Sequence, residues 1–310
     1  MNAAHNGLMP LYAFNETWNP LEAEGLGAAA IEATSNTNVV GFCDAYDHTR
    51  FLFGGGVANG GGAEPIVDGP FGVSGQRQLA EAMARLRTSV AAGEGDIDVV
   101  GFSRGAALAL AFAGRIASAN DLCDIEGRPP RIRFIGLFDV VGSFAFAADP
   151  PPLTYQESTV ANTLSLPPNV DHCFHAMALD ERRAAFRVTR VNGAYEVWFR
   201  GVHSDVGGGN GNTGLNSIAR RWMLRKAYAC GLPIRQDRIA EANATAMPLA
   251  PVLWPDDLAP RAFRTVDQHE LVHCTVMRPS LNVGCNEPPA SCPTEDVVRE
   301  LTAFSVSLAS

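Results

Sequence analysis

An α/β fold, with a mostly parallel central sheet and helices on both of its faces, is predicted by three observations. Ile97–Phe102 and Arg131–Val141 are continuous apolar runs up to Asp139, as expected of parallel strands buried on both faces. Other segments carry apolar residues at helical spacing, notably Leu79, Met83, Leu86 and Val90, and later Leu215, Ile218, Trp222 and Met223. The third is Val99-Val100-Gly101-Phe102-Ser103-Arg104-Gly105-Ala106, a strand that runs into Gly-x-Ser-x-Gly and then into an Ala-rich helix. A serine on such a strand–turn–helix is the nucleophile elbow of an α/β hydrolase. The two glycines permit the tight turn and the close helix–strand approach. The expected fold is therefore α/β-hydrolase-like, with lid-like insertions near 144–170 and 232–268.

The bulk numbers agree with one large domain over 1–310. Of the 310 residues, 46% are hydrophobic and 18% charged, a globular composition. A net charge of −9 argues against a nucleic-acid partner. It also repels an anionic membrane surface unless a local patch overrides it. The seven cysteines are dispersed and form no CxxC pair, which suits reduced thiols in a reducing compartment. Met1–Pro10 has neither a basic n-region nor an apolar h-region. A cytoplasmic product without a cleavable signal is expected, and export by a machine that reads folded cargo stays open.

In chain order, Leu8–Phe14 is the first expected strand, and the loop after it is where such folds place a second oxyanion donor. Residues 21–38 read as loop, Phe51–Phe53 as a strand and Gly54–Gly62 as a glycine-rich loop without the Gly-Lys-Ser/Thr of a P-loop. Ser74 is placed to cap the helix through Leu79 and Val90, and Gly93 to stop it. Residues 105–118 form the helix behind the elbow. Val170–Arg182 reads as a helix carrying His172 and His175, and Tyr195–Phe199 as a strand. A helix through Leu215 and Ala227 closes at Gly231, residues 232–268 show no clean period, and the tail from 294 reads as a last helix.

Three apolar strands thus end in Ser103, Asp139 and His203. In an open parallel sheet the carboxyl ends of the strands gather on one edge, where ligands bind. The chain order Ser…Asp…His is that of α/β hydrolases. In this arrangement His203 takes the proton of Ser103 and returns it to the leaving group, Asp139 holds the imidazole, and the backbone N–H of Arg104 faces the oxyanion. Each residue also has a plainer reading. An aspartate at a strand end often caps a turn, and a loop histidine is often only a packed one. Asp205 is the rival acid, though a pocket or loop-ordering role suits it better.

The phrases GFSRGAA, GLFDVVGSF, ALDERRAAF and VWFRGVHSDVGGG, followed by LNSIARRWMLRKA, resemble the α/β-hydrolase family that includes the type VI secretion phospholipase effectors of the first lipase class. The resemblance covers most of residues 9–230. It implies Ser103 as nucleophile, Asp139 as acid and His203 as base, with hydrolysis of carboxylic esters, acyl lipids foremost. It implies no cofactor. The partners it implies are a small-molecule or lipid ester, transient contact with a membrane and a secretion-system or immunity protein. Where the family usually has Asp-Gly-Thr after the first strand, this chain has Asn15-Glu16-Thr17. Glu16 and Thr17 thus flank the second oxyanion donor without the family's glycine. That departure motivates an alternative class, a catalytically weak α/β-hydrolase-fold module used for binding.

Two further patterns compete. His269-Glu270-Leu271-Val272-His273 matches the HExxH of zinc hydrolases, which needs both histidines on one helix face and a third ligand. Gly209-Asn210-Gly211-Asn212-Thr213-Gly214 fits GxGxxG, and a loop behind His203 is the expected reading.

Overall fold

A computed structural model describes residues 9–15, 37–54, 73–124, 127–142, 156–158, 161–183, 186–247, 262–277 and 285–296. Its frame is an eight-stranded sheet. The strands are β1 (Leu11–Phe14), β2 (Arg50–Phe53), β3 (Asp96–Phe102), β4 (Arg131–Phe138), β7 (Val170–Ala178), β9 (Tyr195–Phe199), β10 (Leu271–His273) and β11 (Thr294–Glu295). Their order is β11-β10-β9-β7-β4-β3-β1-β2, and every neighbouring pair is parallel. A smaller sheet joins β5 (Gln156–Ser158), β6 (Ala161–Ser165) and β8 (Arg190–Asn192).

Side-chain alternation divides the core into two layers. Along β1, Tyr12 and Phe14 face one layer while Leu11 and Ala13 face the other. The first layer is covered by α2 (Val73–Ala91) and α3 (Arg104–Ser118), with Leu79, Leu86, Leu110 and Phe112 packed on Val99 and Leu137. The second is covered by α1 (Asn38–Ala45) and α5 (Thr213–Ala229), where Phe42, Ile218 and Trp222 meet Phe134, Phe174 and Phe199. Helices on both faces of a parallel sheet define an α/β-hydrolase-like architecture.

Two buried ion pairs pin this frame. Asp98 on β3 accepts from Arg133 Nε (3.0 Å) and from the Tyr46 hydroxyl (2.7 Å). On the far edge, Glu295 of the two-residue β11 receives Lys226 Nζ at 2.9 Å, Trp222 Nε1 at 3.0 Å and the Tyr195 hydroxyl at 2.6 Å. The Lys226 ammonium also lies over the Tyr195 ring, 4.7 Å from its centroid.

The structure differs from expectation at several elements. Val170–Ala178 is the strand β7 and not a helix, so His172 and His175 are not one helical turn apart. The buried end of this strand is rich in Ala, Met and Phe, which suit a helix equally. The segment 269–273 is a turn followed by β10, also not a helix. Ser74 lies inside α2 rather than ahead of it. Asn38–Ala45, next to the expected loop, is a helix capped by Thr37, whose Oγ1 accepts from Val40 N at 3.3 Å. The expected insertion at 232–268 contains α6 (Gln236–Thr245), packed against α5. The expected terminal helix begins instead with the strand β11. Most of the first expected insertion (143–155), the glycine-rich stretch 55–62 and the tail beyond 296 lie outside the described residues.

Among the described residues no helix is long and apolar enough to cross a membrane.

Candidate active site

The elbow is dictated by sterics. Ser103 sits between β3 and α3 with φ 57° and ψ −123°, a left-handed conformation that a serine adopts only when its surroundings enforce it. A Cβ on Gly101 would lie 2.6 Å from the Ala106 Cα, and one on Gly105 would lie 2.2 Å from the Phe14 carbonyl oxygen. Both glycines are thus required, the first for the sharp turn and the second for passage of α3 over the end of β1. Ser103 N donates to the Phe138 carbonyl at 2.9 Å, which ties the elbow to the end of the neighbouring strand. Arg104 opens α3, so its N–H lies in the first turn, where a helix offers no internal acceptor.

Asp139 follows β4 directly and also has positive φ, 41°. This turn aims its carboxylate at His203, the first residue of the short helix α4 (His203–Gly207). His203 Nδ1 meets Asp139 Oδ2 at 2.6 Å. Asp139 Oδ1 also accepts from Ala178 N at 2.9 Å. The imidazole is gripped between two rings, Phe102 at 4.7 Å and Phe186 at 4.8 Å between centroids. Phe102 immediately precedes Ser103. Gly207 lets α4 close on it, since a Cβ there would fall 1.9 Å from a Phe102 ring carbon. Asp139 and His203 are therefore in direct contact, and Ser103 is joined to each through its chain neighbourhood.

Sequence reasoning missed three residues around this pair. The first is Arg264, whose guanidinium forks onto Asp139 at 2.6 Å to Oδ1 and 3.0 Å to Oδ2, and also donates to the carbonyls of Ala178 and Phe186. Burial by itself would push the Asp139 carboxyl up. The Arg264 charge and the His203 hydrogen bond outweigh it and hold the group well below the usual carboxylate range. The second is Glu181. Its Oε2 accepts from the His203 backbone N at 3.1 Å, while Arg183 holds the same carboxylate at 2.9 Å. Burial raises Glu181, but the hydrogen bond and charge of Arg183 prevail and lower it. The third is Asp180, which accepts from Gly201 N at 2.6 Å and from Arg200 at 2.7 Å, so the backbone entering His203 is held on both sides. The phrase ALDERRAAF is the signal for the last two. It is the turn after β7 that grips the histidine loop. Nothing in the sequence marks Arg264.

The remaining expected residues take other places. Asp205 accepts from Asn210 at 2.7 Å, Asn212 at 3.0 Å and Val202 N at 3.0 Å, so it orders α4 and the 209–214 loop. His175 accepts from Val140 N through Nε2 at 3.1 Å, which fixes the proton on Nδ1 and makes that atom the donor to Glu196 at 2.9 Å. Within HExxH, Glu270 is engaged by Arg190 and by Trp198 Nε1, His269 is exposed and His273 is buried against Thr275. Among the described residues no group of three or more His, Cys, Asp or Glu could hold a metal ion. Thr17 and Glu16 lie outside the described residues. Asn15, just before them, is buried and accepts from Thr37 Oγ1 at 2.9 Å.

An elbow serine and an Asp–His pair at the carboxyl edge of a parallel sheet are the frame and site geometry of an α/β-hydrolase-like protein. Residues 118–226 match the model of a family described as type VI secretion phospholipase effector, Tle1-like, catalytic domain. This segment includes Asp139, Glu181 and His203 and begins after Ser103. No curated protein matches the chain. Among solved structures, an uncharacterized protein from Pseudomonas aeruginosa is similar at 19% identity, with 77% of this chain and 48% of that chain covered and a TM-score of 0.43. The Tle1 effector bound to the VgrG spike from the type 6 secretion system is similar at 21% identity, with 68% and 55% covered and a TM-score of 0.41. The chain spans about half the length of these two structures.

Proposed function

We propose that this chain is a single-domain serine esterase that cleaves carboxylic esters of acyl lipids, phospholipids foremost, through Ser103, His203 and Asp139. The observation that carries the reading is the 2.6 Å contact of His203 Nδ1 with Asp139, beside a serine held at φ 57°. With Nδ1 donating to the carboxylate, Nε2 is the basic nitrogen. It removes the Ser103 hydroxyl proton as Oγ attacks the acyl carbon. The tetrahedral oxyanion is met by the Arg104 N–H and a second donor after β1. Collapse breaks the ester C–O bond, and His203 passes its proton to the departing alcohol. Water then repeats the sequence on the acyl-enzyme and releases the acid. Arg264, Glu181 and Asp180 are positioning residues.

The match over 118–226 to a phospholipase effector family supports lipid ester hydrolysis as the activity. The same family description supports a type VI secretion apparatus as the partner that exports the protein. A fluorophosphonate probe tests the core of the reading. Wild type should be labelled and should cleave p-nitrophenyl butyrate, and Ser103→Ala should do neither. Asp139→Asn, scored per folded molecule, should lower kcat by on the order of 10³–10⁴. Asp205→Asn should lower it far less. An unlabelled wild type that cleaves no ester leaves only the binding-module alternative, and a reversed ranking of the two aspartates moves the acid to Asp205.

A further inference from the structure

The supports of the Asp139–His203 pair converge on Asn286. This half-buried residue stands near the start of the segment 285–296, which runs into β11. Its side-chain amide donates to the Arg264 carbonyl at 2.8 Å and to the Leu179 carbonyl at 3.0 Å. Its backbone N donates to Asp180 Oδ1 at 2.8 Å, and its carbonyl accepts from Arg200 Nη1 at 2.9 Å. We infer that Asn286 is a positioning residue that sets Arg264 on Asp139 and Asp180 on the histidine loop, so that one residue aligns both partners of the pair. The consequence for activity rests on the esterase reading above; the alignment itself does not.

Arg264 needs such an anchor. Residues 262–267 form neither helix nor strand, so regular secondary structure does not fix where the side chain begins. A guanidinium on a long flexible stem places its fork well only if the origin of the stem is held. Here the arginine is held at both ends against consecutive residues. Its Nη1 donates to the Ala178 carbonyl at 2.7 Å, and the Asn286 amide joins the Arg264 carbonyl to that of Leu179. The fork that results meets Asp139 at 2.6 and 3.0 Å. The residue type fits the task. Two carbonyl oxygens face the side chain, and a primary amide carries two N–H donors. An aspartate of the same shape carries none and would set a charge against both oxygens. The backbone of Asn286 serves the other partner. Asp180 Oδ1 takes both Asn286 N and Arg200 Nη1, while its Oδ2 takes Gly201 N at 2.6 Å, just ahead of His203. A side-chain substitution at 286 therefore reaches Asp139 through Arg264 and leaves the backbone grip on Asp180 in place.

A double-mutant cycle on the full-length protein, with p-nitrophenyl butyrate as substrate, tests this role. Asn286→Ala should lower kcat about tenfold and change KM by less than about twofold. In an Arg264→Gln background the same substitution should cost less than about twofold, because the group it positions is gone. The acid limb of the kcat/KM profile should rise in Asn286→Ala, and by no more than in Arg264→Gln, as the loosened guanidinium releases the Asp139 charge to His203. The other charged groups around His203, namely Glu181, Arg183 and Asp205, are untouched by the substitution. Cys292→Ala breaks a different link between the same two segments, the 3.3 Å bond from Sγ to the Asp267 carbonyl, and should leave kcat and the limb in place. Circular dichroism reports whether each variant is folded, and Asn286→Ser takes the place of the alanine variant if that one is not.

An equal loss in both backgrounds, or a limb that stays in place, overturns the positioning role and leaves Asn286 as a tie between segments. So does a Cys292→Ala protein whose limb moves as far as that of Asn286→Ala. A wild type that no fluorophosphonate labels and that cleaves no ester overturns the esterase reading instead. The alignment is then read without catalysis, from the NMR titration of the isotope-labelled His203 ring. A midpoint higher in Asn286→Ala than in wild type supports the alignment, and an unchanged midpoint overturns it.

Discussion

At the scale of single residues, Asp139 faces a histidine and an arginine with opposite consequences. In the proposed mechanism His203 depends on the Asp139 charge, because a nearby carboxylate favours the protonated imidazole. Arg264 shares that charge through two hydrogen bonds, at 2.6 and 3.0 Å, and so weakens what reaches the imidazole. The other charged groups facing His203 are Glu181, which accepts from its backbone, and Arg183 behind it; Asp205 lies on its own helix. Removing the Arg264 charge should let Asp139 act on His203 undiluted. We expect Arg264→Gln to move the acid limb of the kcat/KM profile to higher pH by roughly one unit, and Arg264→Lys to move it less. A role confined to holding the loop would lower activity equally at every pH and leave the limb in place. Stopped assays between pH 5 and 9 on a soluble ester separate the two outcomes.

At the scale of elements, the elbow depends on how closely α3 passes the end of β1. The two glycines around Ser103 are not equivalent to others in the chain. A methyl group on Gly105 meets backbone, the Phe14 carbonyl oxygen at 2.2 Å, and backbone cannot step aside as a flexible side chain can. A methyl group on Gly95 meets only the Asp124 side chain, at an ordinary 3.5 Å. Gly105→Ala should therefore cost about 1–3 kcal/mol of stability and depress activity, while Gly95→Ala should stay within about 0.5 kcal/mol of wild type. Urea denaturation of both variants checks the contrast. This element was legible in the sequence because the elbow's requirements are local: a strand, a glycine on each side and a helix. β7 was not. Its Ala176, Met177 and Ala178 fit a helix as well as a strand, and only the partners β4 and β9 decide between them. α1 was hidden for a related reason, since Val39, Val40 and Gly41 form helices poorly and the apolar period of Val39, Phe42 and Cys43 spans only a short helix.

At the scale of the whole molecule, buried polar links join distant segments, and these were the least legible part of the protein. Glu196 on β9 is an example. It meets His175 of β7 at 2.9 Å and Arg190 of β8 at 2.6 Å, and Arg190 continues to Glu270. Burial raises the Glu196 carboxyl, but His175 and Arg190 together lower it below its ordinary value. Its unfolded form therefore takes up a proton more readily than its folded form, so its contribution to stability is complete above about pH 4.3 and is lost as pH falls through the folded value. Glu196→Gln should destabilise the protein by about 3–5 kcal/mol near pH 7, and the gap to wild type should narrow below about pH 4. A gap independent of pH would mean that packing, not charge, is what Glu196 contributes. The strands β3 and β4 and the helices α2, α3 and α5 follow from hydrophobic runs and periodicity, which each stretch of sequence carries by itself. A buried pair needs two residues that only the finished fold brings together.

The arginine that braces Asp139 makes the same point in time. Ser103, Asp139 and His203 are all in place within the first two thirds of the chain, yet Arg264 arrives 125 residues after the carboxylate it pairs with. As the chain leaves the ribosome, or refolds from its amino-terminal half, the central strands can pair long before that guanidinium docks. The Asp139–His203 pair is then completed after the central strands, at about the stage when β10 and β11 join the sheet. Under the proposed mechanism, esterase activity should return more slowly than secondary structure during refolding, because Ser103 is in place well before the guanidinium that braces Asp139.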